Sequence, residues 1–135
     1  MADLSVTAAN VSKVTGNTAT VTAGATLTAG MPVYKDTADA NEHKAGDNDV
    51  AASAEIEGVT LNGASDGQPV EIQTDGTIAI GATVTIGETY VLSSTSGKIA
   101  PVGDLASDDY VTHIGVGVTT ARIELNIKAF GVQVP

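Results

Sequence analysis

His43 and His113 are the only imidazoles in the chain, and cysteine is absent. Disulfides, thiolate catalysis and cysteine-held zinc are therefore excluded. A hydrolytic triad would need one histidine beside a Ser or Thr and oriented by an acid. No Gly-x-Ser-x-Gly elbow occurs. His43 lies among Asp36, Asp39, Glu42, Asp47 and Asp49. Asp47-Asn48-Asp49 begins like a calcium loop, but Ala51, Ala52 and Gly58 stand where that loop needs an oxygen ligand, a glycine and a bidentate Glu. Ser94-Thr95-Ser96-Gly97-Lys98-Ile99 ends like a phosphate loop, yet Leu92 replaces its first glycine and Ile99 its magnesium hydroxyl. Gly115-Val116-Gly117-Val118 sits in a strand pattern and opens no helix, so it is not a dinucleotide fingerprint. Glu55 and Glu57 flank Ile56 and share one strand face. Glycosidases pair acids in this way, but the pair also suits a solvated sheet face, and the aromatics that usually line sugar subsites are scarce. These residues read as non-enzymatic, with neither metal nor cofactor expected.

Composition points to strands as the elements that carry these side chains. The chain has 135 residues, 42% of them apolar, with no Trp and one Phe. Its apolar residues are mostly Ala, Val and Ile, and β-branched Thr is abundant. An amphipathic helical bundle is disfavoured. Sixteen acids against six bases give a net charge of −10. Such a chain is a poor binder of nucleic acid and is repelled by anionic membranes. No run approaches the roughly 20 apolar residues of a membrane span. The start, Met1-Ala2-Asp3-Leu4, lacks the basic and apolar regions of a signal peptide. Synthesis in a cytoplasm is expected, with exit by lysis.

An internal repeat organises the chain. At an offset of 57, residues 20–30 (TVTAGATLTAG) lie over residues 77–87 (TIAIGATVTIG), with six of eleven positions identical. Gly46-Asp47 lies over Gly103-Asp104 at the same offset. With small shifts, Gly58-Val59-Thr60 matches Gly117-Val118-Thr119, and Val70-Glu71-Ile72 matches Ile123-Glu124-Leu125. Copy one spans about 16–73 and copy two about 74–128, making a β domain over 16–128. Residues 1–15 form an N-terminal arm or an added strand, and 129–135 a C-terminal tail.

Each copy reads as short strands joined by turns. Ile123, Leu125 and Ile127 alternate with Arg122, Glu124, Asn126 and Lys128. Val70 and Ile72 alternate with Glu71 and Gln73. Asn62-Gly63, Asp66-Gly67, Asp75-Gly76, Ser96-Gly97 and Gly103-Asp104 mark turns. Single helical turns are expected within 49–55, where Asp49 could cap, and within 104–107. Residues 36–49 read as a long solvated loop. The expected fold is all-β: a small barrel or sandwich of two repeated β-subdomains of about 57 residues sharing a continuous core, since one copy alone would be marginal.

Gly30-Met31-Pro32-Val33-Tyr34, then Ile56-Glu57-Gly58-Val59, then Gly67-Gln68-Pro69-Val70-Glu71-Ile72 form a cadence that returns in Gly87-Glu88-Thr89-Tyr90-Val91-Leu92 and Ile114-Gly115-Val116-Gly117. Over residues 20–128 this cadence resembles the small β-barrel decoration, or cement, proteins of tailed-bacteriophage heads. The resemblance implies a structural protein, made in the host bacterial cytoplasm and located on the outer surface of the virion. It would clamp neighbouring major capsid protein subunits, with a homotrimer favoured, and would involve neither nucleic acid nor membrane. The family's capsid contacts lie in variable arms and loops, so none transfers residue by residue.

The apolar residues of the two termini, Leu4, Val6, Phe130, Val132 and Val134, are the expected partner-binding residues, by strand addition or burial. The tail equally suits a last strand closing the barrel. The alternative function is a receptor- or glycan-binding module of a head fibre, tail or bacterial surface protein, using loops 36–49 and 104–110 with Tyr110 and His113. A third reading, a metal-dependent hydrolase built on His43, draws little from the sequence.

Overall fold

Period-two alternation over most of the chain produces strands and little else. The computed structural model describes residues 3–135; Met1 and Ala2 of the expected arm lie outside them. Copy one contributes β2 (Thr18–Thr22), β3 (Pro32–Asp36), β4 (Glu42–Ala45), β5 (Ile56–Thr60) and β6 (Pro69–Gln73). Copy two contributes β7 (Gly76–Ile80), β8 (Thr89–Leu92), β9 (Ile99–Pro101), β10 (Tyr110–Gly117) and β11 (Arg122–Gln133). The arm adds β1 (Val11–Lys13). Helical structure among the described residues is limited to the single 3-10 turns Ala8–Asn10, Ala52–Ala54 and Val102–Asp104.

The two copies fold in the same way. The first sheet runs β2-β6-β5-β3-β4 and the second β7-β11-β10-β8-β9, with β1 added outside β7. Read strand for strand, the orders are identical. Individual hydrogen bonds recur at the sequence offset. Gly30 N–H donates to the Thr60 carbonyl at 2.8 Å, and Gly87 N–H to the Gly117 carbonyl at 2.8 Å. Thr60 N–H donates to Met31 at 2.9 Å, and Gly117 N–H to Glu88 at 3.0 Å. Gly30 and Gly87 both take positive φ, +89° and +82°, the left-handed region that glycine enters at little cost.

The sheets differ in how their edges close. In the first, β2 runs into Ala23, which bridges in parallel to His43 on β4, and Gly24 N–H donates to the His43 carbonyl at 2.7 Å. The five strands thereby curl around a small core of Ala23, Leu27, Val33, Val70 and Ile72. In the second, the N-terminal segment fills the seam. Leu4 N–H donates to Ile99 on β9 at 2.8 Å, and Thr7 N–H to Gly81, just past β7, at 2.7 Å. The main core then joins both copies: Ala29, Ala54, Ile56 and Val59 from the first pack with Ile78, Ile80, Leu92, Ile114 and Ile123 from the second.

Three expectations need correction. Leu4 is not an exposed arm residue; it is buried in the main core, because residues 4–7 close the second sheet. Val6 is half-buried and packs against the same core. Residues 36–49 are not one long loop, since β3 and β4 form a hairpin in register from Val33↔Ala45 to Asp36↔Glu42. The expected boundary at 128/129 falls inside β11, which continues to Gln133.

Candidate functional site

The second copy departs from the first mainly at the end of β11. β6 has 5 residues and β11 has 12. On one side β11 pairs with β7 only from Arg122↔Ala79 to Leu125↔Gly76. On the other it pairs with β10 as far as Tyr110↔Gln133. Among the described strands, residues 126–133 are therefore laddered on one side only. Ala129 in this run helps line a shallow cleft of about 370 Å³ with Lys35, Thr37, Glu55, Ile56 and Glu57 of the first copy.

The ladder between β10 and β11 is interrupted within this stretch. Ala129 pairs with Thr112 and Gln133 with Tyr110, so Phe130, Gly131 and Val132 stand opposite Val111 alone. The surplus residues form a bulge, and Gly131 takes φ +70° within it. Phe130 is 49% exposed and Val132 57%. The Lys128 ammonium lies 5.6 Å from the Phe130 ring centroid. Beyond the bulge the chain is tied down again. Val134 N–H donates to Asp109 at 2.9 Å, Asp108 N–H to Val134 at 2.8 Å, and Gln133 Nε2 to Asp108 at 2.9 Å. The bulge is thus an apolar knob held between two anchored points. Of the five expected terminal residues, Phe130 and Val132 are presented to solvent, while Leu4 is buried and Val6 and Val134 are half-buried. The sequence signal for this arrangement was Gly131, which interrupts the strand pattern between two large apolar residues.

The acidic hairpin neutralises its own turn. Lys44 Nζ lies 3.0 Å from Asp36 Oδ2 and 2.8 Å from Asp39 Oδ2. The Lys44 hydrogen bond, aided by the Ala38 N–H, holds the Asp36 carboxyl below its ordinary range. The hydrogen bonds that the Lys44 ammonium donates to Asp39 and Asp36 push its own pKa up. Glu42 is pushed up, first by desolvation and then by Asp66 and Asp39. Replacing Lys44 by Met removes the partner that depresses Asp36. We expect a small loss of stability that is present at pH 7 and fades as pH falls through the depressed Asp36 value, below 3.8. Thermal melts of both proteins between pH 6 and pH 2.5 check the sign. Glu42 acts oppositely, gaining stability on acidification.

The two histidines differ in burial, His43 being buried and His113 half-buried. His43 is 3% exposed, with Nε2 2.8 Å from Glu57 Oε1. His113 Nδ1 lies 2.7 Å from the Asn126 carbonyl, which makes Nδ1 the protonated nitrogen. Glu55 is exposed beside the same cleft as Glu57.

Compared with protein families and curated proteins, the sequence matches no family model and no curated protein.

Proposed function

We propose that the chain is a decoration protein of tailed-phage heads, which binds the outer surface of the mature capsid and clamps neighbouring major capsid protein subunits. The observation that carries this reading is the β11 bulge: Phe130 and Val132 exposed beside a strand edge laddered on one side only. An apolar knob next to open backbone donors and acceptors suits a partner that adds a strand and buries the knob together. The repeated cadence of copies one and two, which resembles these cement proteins, supports the same reading. The role is structural rather than enzymatic, the location is the virion surface, and a trimer is the favoured assembly.

The mechanism is mass action. A protein that binds only the expanded lattice stabilises that lattice by its binding free energy. Many copies on a symmetric shell sum small contributions, and trimerisation adds avidity.

The test is co-sedimentation of the purified chain with expanded, undecorated phage heads, with free capsid subunits as control. The expected result is saturation at a whole-number ratio per lattice unit on heads alone. Absence of binding at micromolar protein overturns the reading and moves weight to a receptor- or glycan-binding module. The double variant Phe130→Asp, Val132→Asp should bind heads at least about tenfold more weakly, because charge is placed in a desolvated contact. Its melting temperature should stay close to that of the parent, since both side chains are exposed.

A further inference from the structure

The duplication sets a covered face of copy one beside its uncovered counterpart in copy two. The matching hydrogen bonds of Gly30 with Thr60 and of Gly87 with Gly117 align the two faces, Ala29 with Ile86 and Leu61 with Val118. In copy one the face is roofed. Ala29 is buried, and Leu61 is half-buried against the main core. The N-terminal segment supplies the roof: a Cβ added at Gly30 would stand 2.6 Å from Val6 Cγ1 and 3.1 Å from Val11 Cγ2. That segment is held from its other side, where Thr7 N–H donates to Gly81 at 2.7 Å. In copy two no described residue covers the face. Ile86 is 65% exposed and Val118 39%. A Cβ added at Gly87 would meet no atom within 4 Å. A large apolar side chain thus stands in the open where copy one buries an alanine. End repeats of stacked arrays carry polar outer faces, which keep them soluble. Ile86 and Val118 leave copy two unfinished in that respect.

We propose that the face of Ile86 and Val118 docks a short apolar segment of a different polypeptide, which presents β-branched side chains to Gly87 as Val6 and Val11 present theirs to Gly30. The chemistry of the occupant is read from the roofed copy, because the backbone is the same at both places. Gly30 and Gly87 share positive φ, +89° and +82°, and each donates across the ladder at 2.8 Å. With no Cβ, Gly87 leaves its backbone open to close approach. The chain's own N-terminal segment is already committed, with Leu4 and Val11 buried at the seam. The turns that carry the open face, residues 83–88 and 118–122, contain one acid, Glu88, and one base, Arg122. They form a neutral island on a chain of net charge −10. An uncharged segment fits there, whereas a second copy brings its own negative charge and long-range repulsion. Burial of Ile86 and Val118 under such a segment gives copy two the cover that copy one already has. The inference stands apart from capsid binding and from the β11 bulge.

The experiment is an amide NMR titration of the isotope-labelled full chain with a capped peptide of the sequence of residues 4–13, LSVTAANVSK. Shifts are expected at residues 85–88 and 117–119, with a Kd on the order of 1 mM. The same peptide with both valines replaced by serine should bind at least about tenfold more weakly. The Ile86→Asp, Val118→Asp double variant should lose the shifts. Its melting temperature should stay close to that of the parent, since both side chains are exposed. Absence of shifts at roughly 5 mM peptide overturns the proposal. Binding that the double variant retains does the same. Shifts confined to the surroundings of Gly30 and Gly81 mean that the peptide displaces the chain's own segment, and they also overturn it. Shifts at Ile86 and Val118 that grow with protein concentration alone identify a second copy as the occupant and overturn the assignment to a different polypeptide.

Discussion

Replacing Gly115 by alanine should destabilise the protein by about 3 kcal/mol, seen in urea as a lower midpoint with an unchanged slope. Gly115 lies in β10 between β8 and β11, where the ladder shifts register on both sides. A Cβ added there would stand 2.3 Å from the Glu124 carbonyl oxygen and 2.6 Å from Ile123 Cγ2. The first obstacle is the backbone of a neighbouring strand, and the second belongs to a fully buried side chain. Neither can retreat without moving the sheet. The duplication supplies an internal comparison. The recurring hydrogen bonds of Thr60 and Gly117 make Gly58 the counterpart of Gly115 at the offset of 57, correcting the shifted sequence match of Gly58 to Gly117, and its added Cβ would meet the Gln73 carbonyl oxygen at 2.7 Å and Ile72 Cδ1 at 3.0 Å. The second obstacle is the far end of a flexible side chain, so Gly58→Ala should cost less than Gly115→Ala. Gly63→Ala is the control, with its nearest neighbour, the Leu27 carbonyl oxygen, at 3.4 Å, and should change stability by no more than about 0.5 kcal/mol. Equal effects at Gly115 and Gly63 would refute the close-approach account.

This pair also marks what a linear reading reaches. The repeat and the strands follow from period-two alternation and from matches at one offset, both local properties; of the helical turns, Ala52–Ala54 falls within the expected 49–55, Val102–Asp104 stands just ahead of the expected 104–107, and Ala8–Asn10 was not expected. The identical strand order of the two sheets is their consequence. What stayed hidden depends on closure. Leu4 looks like a loose apolar residue until the second sheet curls and leaves a seam beside Ile99 that residues 4–7 enter. The acidic stretch after β3 looks like a solvated loop by charge count. Lys44, one strand later, gathers Asp36 and Asp39 and makes it a hairpin. The β11 knob was legible as exposed Phe130 and Val132, but the anchoring of Val134 by Asp108 and Asp109 was not, because those partners come from the segment before β10.

Gln73 is the clearest case, and its replacement by leucine should cost about 3–4 kcal/mol. Alternation with Val70 and Ile72 assigns Gln73 to the polar face of its strand, yet it is 0% exposed. Its Nε2 lies 2.7 Å from the Thr15 carbonyl, 2.8 Å from Asp75 and 3.0 Å from Thr77. One amide thus holds the end of the N-terminal arm, the connection between the copies and the first strand of copy two. Leucine preserves the approximate volume but takes the donor from all three. The Thr77 carbonyl keeps the Val14 and Thr15 N–H groups, so the loss falls mainly on Thr15 and Asp75. Glutamate separates packing from hydrogen bonding more sharply. At pH 7 Gln73→Glu sets a buried carboxylate against three carbonyl oxygens and should be worse than leucine. Burial among acceptors raises the carboxyl's folded-state pKa above its unfolded value of about 4.3. Its penalty is therefore full above the folded value and relieved as pH falls through it, when the protonated acid can donate one hydrogen bond. Urea midpoints of the parent and both variants at pH 7 and pH 5 decide the matter. If Gln73→Glu fails to recover relative to Gln73→Leu at the lower pH, the three carbonyls do not depend on the Gln73 amide, and the junction between the copies is held by packing alone.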